Sequence, residues 1–414
     1  MSRAKHSVSR KSLSEPAIKV LYKLSKAGYR ACLVGGGVRD VLLGKRPKDF
    51  DVTTNATPEQ INALFRNSRI IGRRFRLVHI RYGREIIEVA TFRSNAEESD
   101  TELNQEGRIV RDNTFGSIED DAIRRDFTIN ALYYDIKDFS VLDYAKGIED
   151  LNNKLIRLIG DPETRYKEDP VRMLRAIRFA AKLGFIIEED AAKQIHQLGH
   201  LLKNIPSARL FEEVLKLFHS GHAERSFELL RHYDLLQYIL PVTDDYLKND
   251  PDEKMLDFFD RALFNTDQRI NNDLKASPAF IFAVFLWPSV LLRAKALETK
   301  DFKGLPLLQK AASDIFSEQL KATSIPRRFS QTSKDIWFLQ PRFSRTKGKQ
   351  PERLYAHPVF RAAYDFMCIA SQVAINSSTV CKWWTEYQVH NKAPERPQQT
   401  FKKRRPQNKP TKRA

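Results

Sequence analysis

The stretch Leu33-Val34-Gly35-Gly36-Gly37-Val38-Arg39-Asp40, followed by Lys48-Asp49-Phe50-Asp51-Val52, constrains this chain more than any other. Leu33 and Val34 read as the end of a buried strand. The three glycines give a tight turn whose backbone N–H groups can approach a ligand, and Val38 to Leu43 read as the first turns of a helix. Strand, glycine turn and helix N-terminus together suit a phosphate group. Asp49 and Asp51 stand two apart in the next expected strand, so both carboxylates point to one face.

Two carboxylates beside a phosphate-binding turn make a site for Mg²⁺, and with phosphates present the economical chemistry is two-metal nucleotidyl transfer. Taken singly, the glycines are an ordinary turn and the aspartates a solvated strand edge; their joint spacing argues against both. A Walker A loop is excluded, because Gly37 and Gly44-Lys45 are separated by six residues and Arg46 follows. No G-x-G-x-x-G occurs, which excludes the dinucleotide fingerprint.

A length of 414 residues suggests two to four domains. The net charge of +18 favours an anionic polymer, with an anionic membrane surface as the alternative. Cys32, Cys368 and Cys381 form no C-x-x-C pair, which excludes a zinc ribbon and gives no disulfide framework, as expected in a reducing cytoplasm. No secretory leader is visible, and the apolar run Ala279 to Trp287, cut by Pro288, is too short to span a bilayer and reads as a buried helix.

Along the chain, residues 1–11 carry four cations and no acid and read as a disordered basic arm. Ser14 to Gly28 fits a helix with Ala17, Val20, Leu21 and Leu24 on its inner side. Thr57-Pro58-Glu59-Gln60 is a capped helix start. Ile70 to Ile80 and Glu85 to Phe92 read as strands, in which Glu88 is an acid inside an apolar run. It is either an edge residue with a basic neighbour such as Arg93 or a third metal carboxylate. Ser94 to Arg108 is an acid-rich loop expected to be mobile. Arg124-Arg125-Asp126-Phe127-Thr128-Ile129-Asn130 holds enough donors and acceptors for a triphosphate and a ribose, since arginine forks match phosphate oxygens; alone, it is a helix end with solvated charges.

Asp169-Pro170 starts a helix on which Arg172, Arg175, Arg178 and Lys182 fall on one face, which calls for an anionic partner. Asp169 and Arg172 face the same way and could read the N6 and N1 edge of adenine without a template, or form an N-cap and an intrahelical ion pair. Leu210, Val214, Leu217 and Phe218 read as helical core. Pro241 and Thr243 to Asp252 suggest a boundary before further helices, up to about Gln388. There Arg327, Arg328, Arg342, Arg345, Lys347 and Lys349 accompany Phe329, Trp337, Phe338 and Phe343, a pattern that suits single-stranded nucleic acid or a solvated basic face. From Asn391 the tail carries nine Lys or Arg and one Glu and is expected to be disordered and polyanion-binding; its +8 leaves +10 on the rest.

These motifs, Leu33 to Asp40, Asp49-Phe50-Asp51, Arg124 to Asn130 and Glu168-Asp169-Pro170-Val171-Arg172, resemble those of the class II nucleotidyltransferases of the polymerase-β superfamily. That group holds the tRNA CCA-adding enzymes and the bacterial poly(A) polymerases. The resemblance implies an α+β fold: a small five-stranded mixed-sheet head, then an all-α neck, body and tail. The corresponding boundaries are 12–165 for the head, 166–245 for a base- and RNA-binding neck, 246–390 for an RNA-binding body and 391–414 for the tail. It implies Mg²⁺ at Asp49 and Asp51, with Glu88 at the third-acid position, and ATP as substrate. Gly35, Gly36 and Arg39 would lie near the phosphates. Arg124, Arg125 and Asp126, with Asn130, would serve triphosphate and ribose, Asp126 counting among the essential acids. Asp169 and Arg172 would read the base, with Arg175 nearby.

Gly37, the run Lys45 to Thr57, the segments Asn272-Asp273, Ser277 to Phe280, Arg361 to Asp365 and Lys382-Trp383-Trp384, and the basic tail resemble the poly(A)-polymerase branch more than the CCA-adding branch. The expectation is a cytoplasmic, monomeric enzyme that adds AMP from ATP to RNA 3′ ends, with room for RNA-decay protein partners. CCA addition is the runner-up, and an RNA-binding protein on a decayed head is the reading from another class.

Overall fold

The computed structural model describes residues 1–72, 76–94, 102–103, 109–111, 115–249, 253–373, 375 and 377–391. Most of the acidic loop and the tail beyond Asn391, both singled out above, lie outside these. The first long helix, α1 (Glu15–Lys26), is started by Ser14, whose Oγ accepts from Ala17 N at 3.2 Å, and buries Ala17, Val20, Leu21 and Leu24. It covers one face of a mixed sheet. The strands are β1 (Ala31–Val34), β2 (Asp51–Thr54), β3 (Ser68–Ile71), β4 (Leu77–Tyr82) and β5 (Glu85–Thr91). A two-stranded pair, β6 (Glu102–Leu103) and β7 (Ile109–Arg111), stands apart, and β8 (Leu132–Asp135) and β9 (Val141–Asp143) complete the main sheet.

The sheet has seven strands in the order β3-β4-β5-β2-β1-β8-β9, rather than the five expected. The single strand expected over Ile70 to Ile80 is an antiparallel pair with Ser68 opposite Ile80, and Gly72, at φ 82, sits where the chain leaves β3. β2 runs parallel to β5, and the other pairings in the sheet are antiparallel. The head helices are α2 (Gly36–Leu42), α3 (Pro58–Leu64), α4 (Ile118–Arg124) and α5 (Gly147–Asn152); then come α6 (Pro162–Glu168), α7 (Val171–Leu183), α8 (Glu189–Leu198) and α9 (Ser207–Phe218).

Residues 1–11, expected to be disordered, form two short 3-10 turns against the head. Val8 is fully buried and Val141 N donates to Met1 O at 2.9 Å. The cations face outward while one apolar residue anchors the segment, a pattern that charge counting alone does not register.

The chain divides into two compact units: residues 1–248 with 263–276 and 317–325, and residues 249–262, 277–316 and 326–414. Within the stretch Thr243 to Asp252, expected to mark a boundary, residues up to Asn249 belong to a helix, Pro241–Asn249, and the first unit's opening run ends at 248. In the second unit, helix Pro278–Leu297 continues through Pro288 instead of ending there. Ile281 to Trp287 and Val290 are buried, and that burial outweighs the hydrogen bond proline removes. By length and composition alone this helix could cross a membrane. Trp337 and Phe343, read above as faces for nucleobases, are core: Trp337 donates to Ala283 O at 3.0 Å, and Phe343 O accepts from Trp384 Nε1 at 2.9 Å. The expectation of no disulfide is also corrected. Helices Phe360–Gln372 and Ser378–His390 pack together and join Cys368 to Cys381 across 5.2 Å between Cα atoms, while Cys32 is free and buried.

Candidate active site

Gly35 stands between β1 and α2 at φ 70 and ψ −133, a conformation that side-chain-bearing residues rarely adopt. Its N–H donates to Leu132 O at 3.1 Å, tying the turn to β8. A Cβ on Gly35 would lie 3.6 Å from Arg125 Nη1, and one on Gly37 would lie 3.5 Å from Asp49 O. The glycine turn therefore touches both the arginine motif and the loop that carries the aspartates.

Asp49 lies just before β2 and Asp51 is its first residue. Phe50 and Val52 are buried while both aspartates are exposed, so the two carboxylates share a face although only one is within the strand. In register, Asp51 pairs with Glu88 on β5, and Glu88 with His79 on β4. These residues, with Asp49, Lys48 and Arg84, line a cleft of about 570 Å³. Desolvation within the cleft, then the Glu88 carboxylate and, more weakly, Asp49, push the Asp51 carboxyl up to about 6 against the pull of Arg125. The basic neighbour of Glu88 is His79, whose Nε2 lies 3.0 Å from Glu88 Oε1, rather than Arg93.

Among the described residues no three His, Cys, Asp or Glu side chains gather closely enough to hold an ion by themselves. Mg²⁺ is usually taken by one or two carboxylates, with water and substrate phosphates completing its shell. Asp49 and Asp51 fit that donor set, two carboxylates on one face with Glu88 paired in register to Asp51.

Opposite charge lies next to it. The capping box of Ser117 and Asp120 starts α4 and delivers Arg124 and Arg125 at its end. Arg125 is gripped by Asp121 Oδ2, at 3.2 Å from Nε and 3.0 Å from Nη2, and by Tyr133 Oη at 2.9 Å from Nε. Its Nη1, the nitrogen facing Gly35, has no protein partner among the described residues. Burial, then the charges of Arg93, Arg165 and Arg172, push Arg124 down to about 10. Such crowding of guanidinium groups is relieved by a polyanion. Arg165 steadies the group by donating to the carbonyls of Arg124 and of Arg125.

A relay of side chains connects this head to α7. Lys182 Nζ lies 3.2 Å from Asp40 Oδ2. Asp40 Oδ1 accepts from Arg39, whose Nη1 donates to Asn130 Oδ1 at 2.6 Å. Asn130 Nδ2 donates to Asp126 Oδ1 at 3.1 Å, and Asp126 Oδ2 accepts from Arg175 Nε at 2.7 Å. Arg39 is 2 % exposed with every nitrogen engaged, so it braces the turn rather than reaching outward. Burial pushes the Asp126 carboxyl up, but Arg175, Asn130 and the Phe127 N–H outweigh it and hold the group below the ordinary carboxylate range. A carboxylate so occupied is poorly placed to accept a proton. Phe179 collects three guanidiniums over its ring, those of Arg39, Arg175 and Arg178 at 5.3, 5.6 and 4.7 Å.

Asp169 and Arg172 do not pair with each other. Asp169 Oδ2 accepts from Arg209 Nη2 at 2.7 Å, and Arg172 Nη1 donates to Glu168 Oε2 and to Arg165 O, each at 2.7 Å. Sequence reasoning missed the supporting residues Asp40, Asp121, Tyr133, Arg165 and Arg209. Arg165 and Arg209 act on residues about forty positions away, which no local spacing marks, whereas Asp40 and Asp121 hold the nearby Arg39 and Arg125, contacts that adjacency and an i,i+4 spacing offered.

The chain matches the family described as Poly A polymerase head domain over residues 31–157, that described as Probable RNA and SrmB-binding site of polymerase A over 184–247, and that described as Polymerase A arginine-rich C-terminus over 300–414. It is 50% identical over 397 residues to Poly(A) polymerase I of Escherichia coli O6:H1, an alignment covering 94% of this chain and 85% of that one. A CCA-adding enzyme of Lactobacillus helveticus is 39% identical over 213 residues, 51% of this chain and 52% of its own length. The fold matches the crystal structure of the Bacillus stearothermophilus CCA-adding enzyme in complex with CTP at a TM-score of 0.62 and 25% identity, over 91% of this chain and 83% of that one. Helical content after a mixed-sheet head, the four motifs in order and near-full-length identity to the polyadenylating branch agree: this chain belongs to the bacterial poly(A) polymerase family of nucleotidyltransferases.

Proposed function

We propose that this enzyme adds AMP from ATP to RNA 3′ ends without a template, the acidic cleft and the arginine cluster handling the two halves of the reaction. The observation that supports it is the juxtaposition, across the glycine turn, of Asp49 and Asp51 with Arg125 Nη1. The RNA 3′ hydroxyl releases its proton to solvent, its oxygen forms a bond to the α-phosphorus of ATP, the bond from that phosphorus to the bridging oxygen breaks, and pyrophosphate leaves. Asp49 and Asp51, with Glu88 beside them, would hold Mg²⁺, which supplies charge neutralisation and Lewis-acid polarisation. Arg124 and Arg125 hold the triphosphate as it develops charge. Asp126, Asn130 and Arg39 fix the floor beneath the ribose, and Arg175 is held in place by Asp126. Asp169 and Arg172, each anchored by a separate partner, stand ready to read adenine.

The test is extension of a labelled RNA with each of the four nucleoside triphosphates and Mg²⁺, beside a tRNA lacking its terminal CCA. Long ladders with ATP alone on generic RNA are expected, and Asp49→Ala should abolish them while RNA affinity persists. Addition that requires CTP, stops after CCA and demands tRNA would overturn the proposal. So would an absence of extension by the wild-type chain.

A further inference from the structure

The ordered N-terminal segment closes a cavity of about 360 Å³ lined by Arg3, Ser9, Arg10, Lys11, Tyr134 and Phe139. It lies on the other side of the sheet from the arginine cluster. Adjacent residues of β8 point to opposite faces: Tyr133 meets Asp121 and Arg125, while Tyr134 packs into the core beneath α1.

No carboxylate lines this cavity, and among the described residues none of its three cations forms an ion pair. Arg10 spends one nitrogen on Tyr22 Oη at 3.2 Å and sits 5.5 Å over the Phe139 ring. Arg3 spends one on His6 O at 3.0 Å. Three like charges around one concavity repel unless an anion is shared between them. Phe139 is itself unusual: its φ is 61, a left-handed conformation that bulky residues rarely adopt, and its carbonyl is held by His6 Nε2 at 3.0 Å. That strain fixes an aromatic ring at the wall of a cationic cavity. A bare phosphate would use the cations alone, whereas the ring and the volume suit a planar base as well.

We propose that this cavity is a second nucleotide-binding site, with a phosphoryl group shared by Arg3, Arg10 and Lys11 and the base against Phe139. The occupant is a nucleotide unit, supplied either by the RNA strand away from its 3′ end or by a free nucleotide. Neither source touches the reacting atoms, so the site adds binding without altering the chemical step.

The experiment is amide hydrogen exchange on the full chain with oligo(A) or with AMP as the probe. At about ten times the dissociation constant, exchange at Ser9 to Ser12 and at Phe139 should slow about tenfold. The protection should disappear in Arg3→Gln/Arg10→Gln, and in Lys11→Gln should the double variant fail to fold. Protection by oligo(A) alone assigns the site to the RNA strand; protection by AMP assigns it to a free nucleotide. Protection by neither, or protection that survives in the variants, overturns the proposal. Extension of a short RNA, measured on the same preparations, should stay at the wild-type rate, which separates failure of this site from failure of the cleft. On the RNA-strand outcome, the slope of log affinity against log salt should also fall by about 1 in the variants.

Discussion

Asp126→Asn tests whether the relay between head and neck has the weight its geometry suggests. Asp126 accepts from Arg175 twice, from Asn130 Nδ2 at 3.1 Å and from Phe127 N at 2.8 Å. Asparagine keeps the acceptor toward Asn130 and Phe127 but turns an amide N–H₂ against the guanidinium. Two charge-assisted bonds are lost, each worth about 1.5–3 kcal/mol. Arg175 retains roughly a third of its side-chain exposure and regains some hydration, which brings the expected loss to about 2–3 kcal/mol. Urea unfolding at neutral pH reads it, and a double-mutant cycle with Arg175→Gln should recover most of it as coupling. The pH dependence has a fixed sign. The folded Asp126 pKa lies below its unfolded value, so its contribution is present above the unfolded value near 4 and is lost as pH falls through the folded one. The gap between wild type and variant should therefore close in acid. A loss under about 0.5 kcal/mol, or coupling near zero, would refute the reasoning that Asp126 is a structural anchor.

Gly35→Ala, at φ 70, should cost about 1–3 kcal/mol by unfolding and lower extension, whereas Gly37→Ala, whose new Cβ meets Asp49 O at an ordinary 3.5 Å, should cost under about 1. His219 has both ring nitrogens buried without a partner among the described residues, and burial pushes it down to about 4. Unfolding binds the extra proton, so stability should fall by about 2–3 kcal/mol as pH drops from about 6.5 to 4, and His219→Phe should flatten that slope. Reduction of the Cys368–Cys381 bond, which closes a short loop, should destabilise the second unit by about 2–3 kcal/mol, matched by Cys381→Ser under oxidising conditions.

The legible parts of this molecule were those governed by short-range periodicity. The inner side of α1, the capping box at Thr57 and the facing of Ile87 and Val89 away from Glu88 each follow from residues within one or two turns or one strand. What escaped was set by contacts that spacing does not encode. Val8 is one apolar residue among cations, and with the Met1–Val141 and His6–Phe139 hydrogen bonds it anchors the N-terminal segment. Trp337 and Phe343 sit beside basic residues in sequence yet are buried in the second core; along the helix that carries Trp337, neighbours turn through about 100° and separate their faces. Glu88 found its partner across the sheet at His79, while the sequence offered Arg93 a few residues along the same strand.

The same distinction applies within the candidate site. The resemblance to the class II nucleotidyltransferases counts Asp126 among the essential acids. In the structure its carboxylate accepts from Arg175, Asn130 Nδ2 and Phe127 N, and its proton affinity is lowered. Asp51 has a different environment: a carboxyl raised to about 6 by desolvation, then by Glu88 and Asp49, against the pull of Arg125, with no hydrogen-bonded cation among the described residues. Two aspartates from one sequence reading are thus separated by what surrounds them. The saturated one holds Arg175, and the other lines the acidic cleft beside Glu88. A substitution at Asp126 should therefore act through Arg175 and be partly restored by repairing that pair, while on the proposed function Asp51→Asn should lower extension and leave the Arg175 coupling intact.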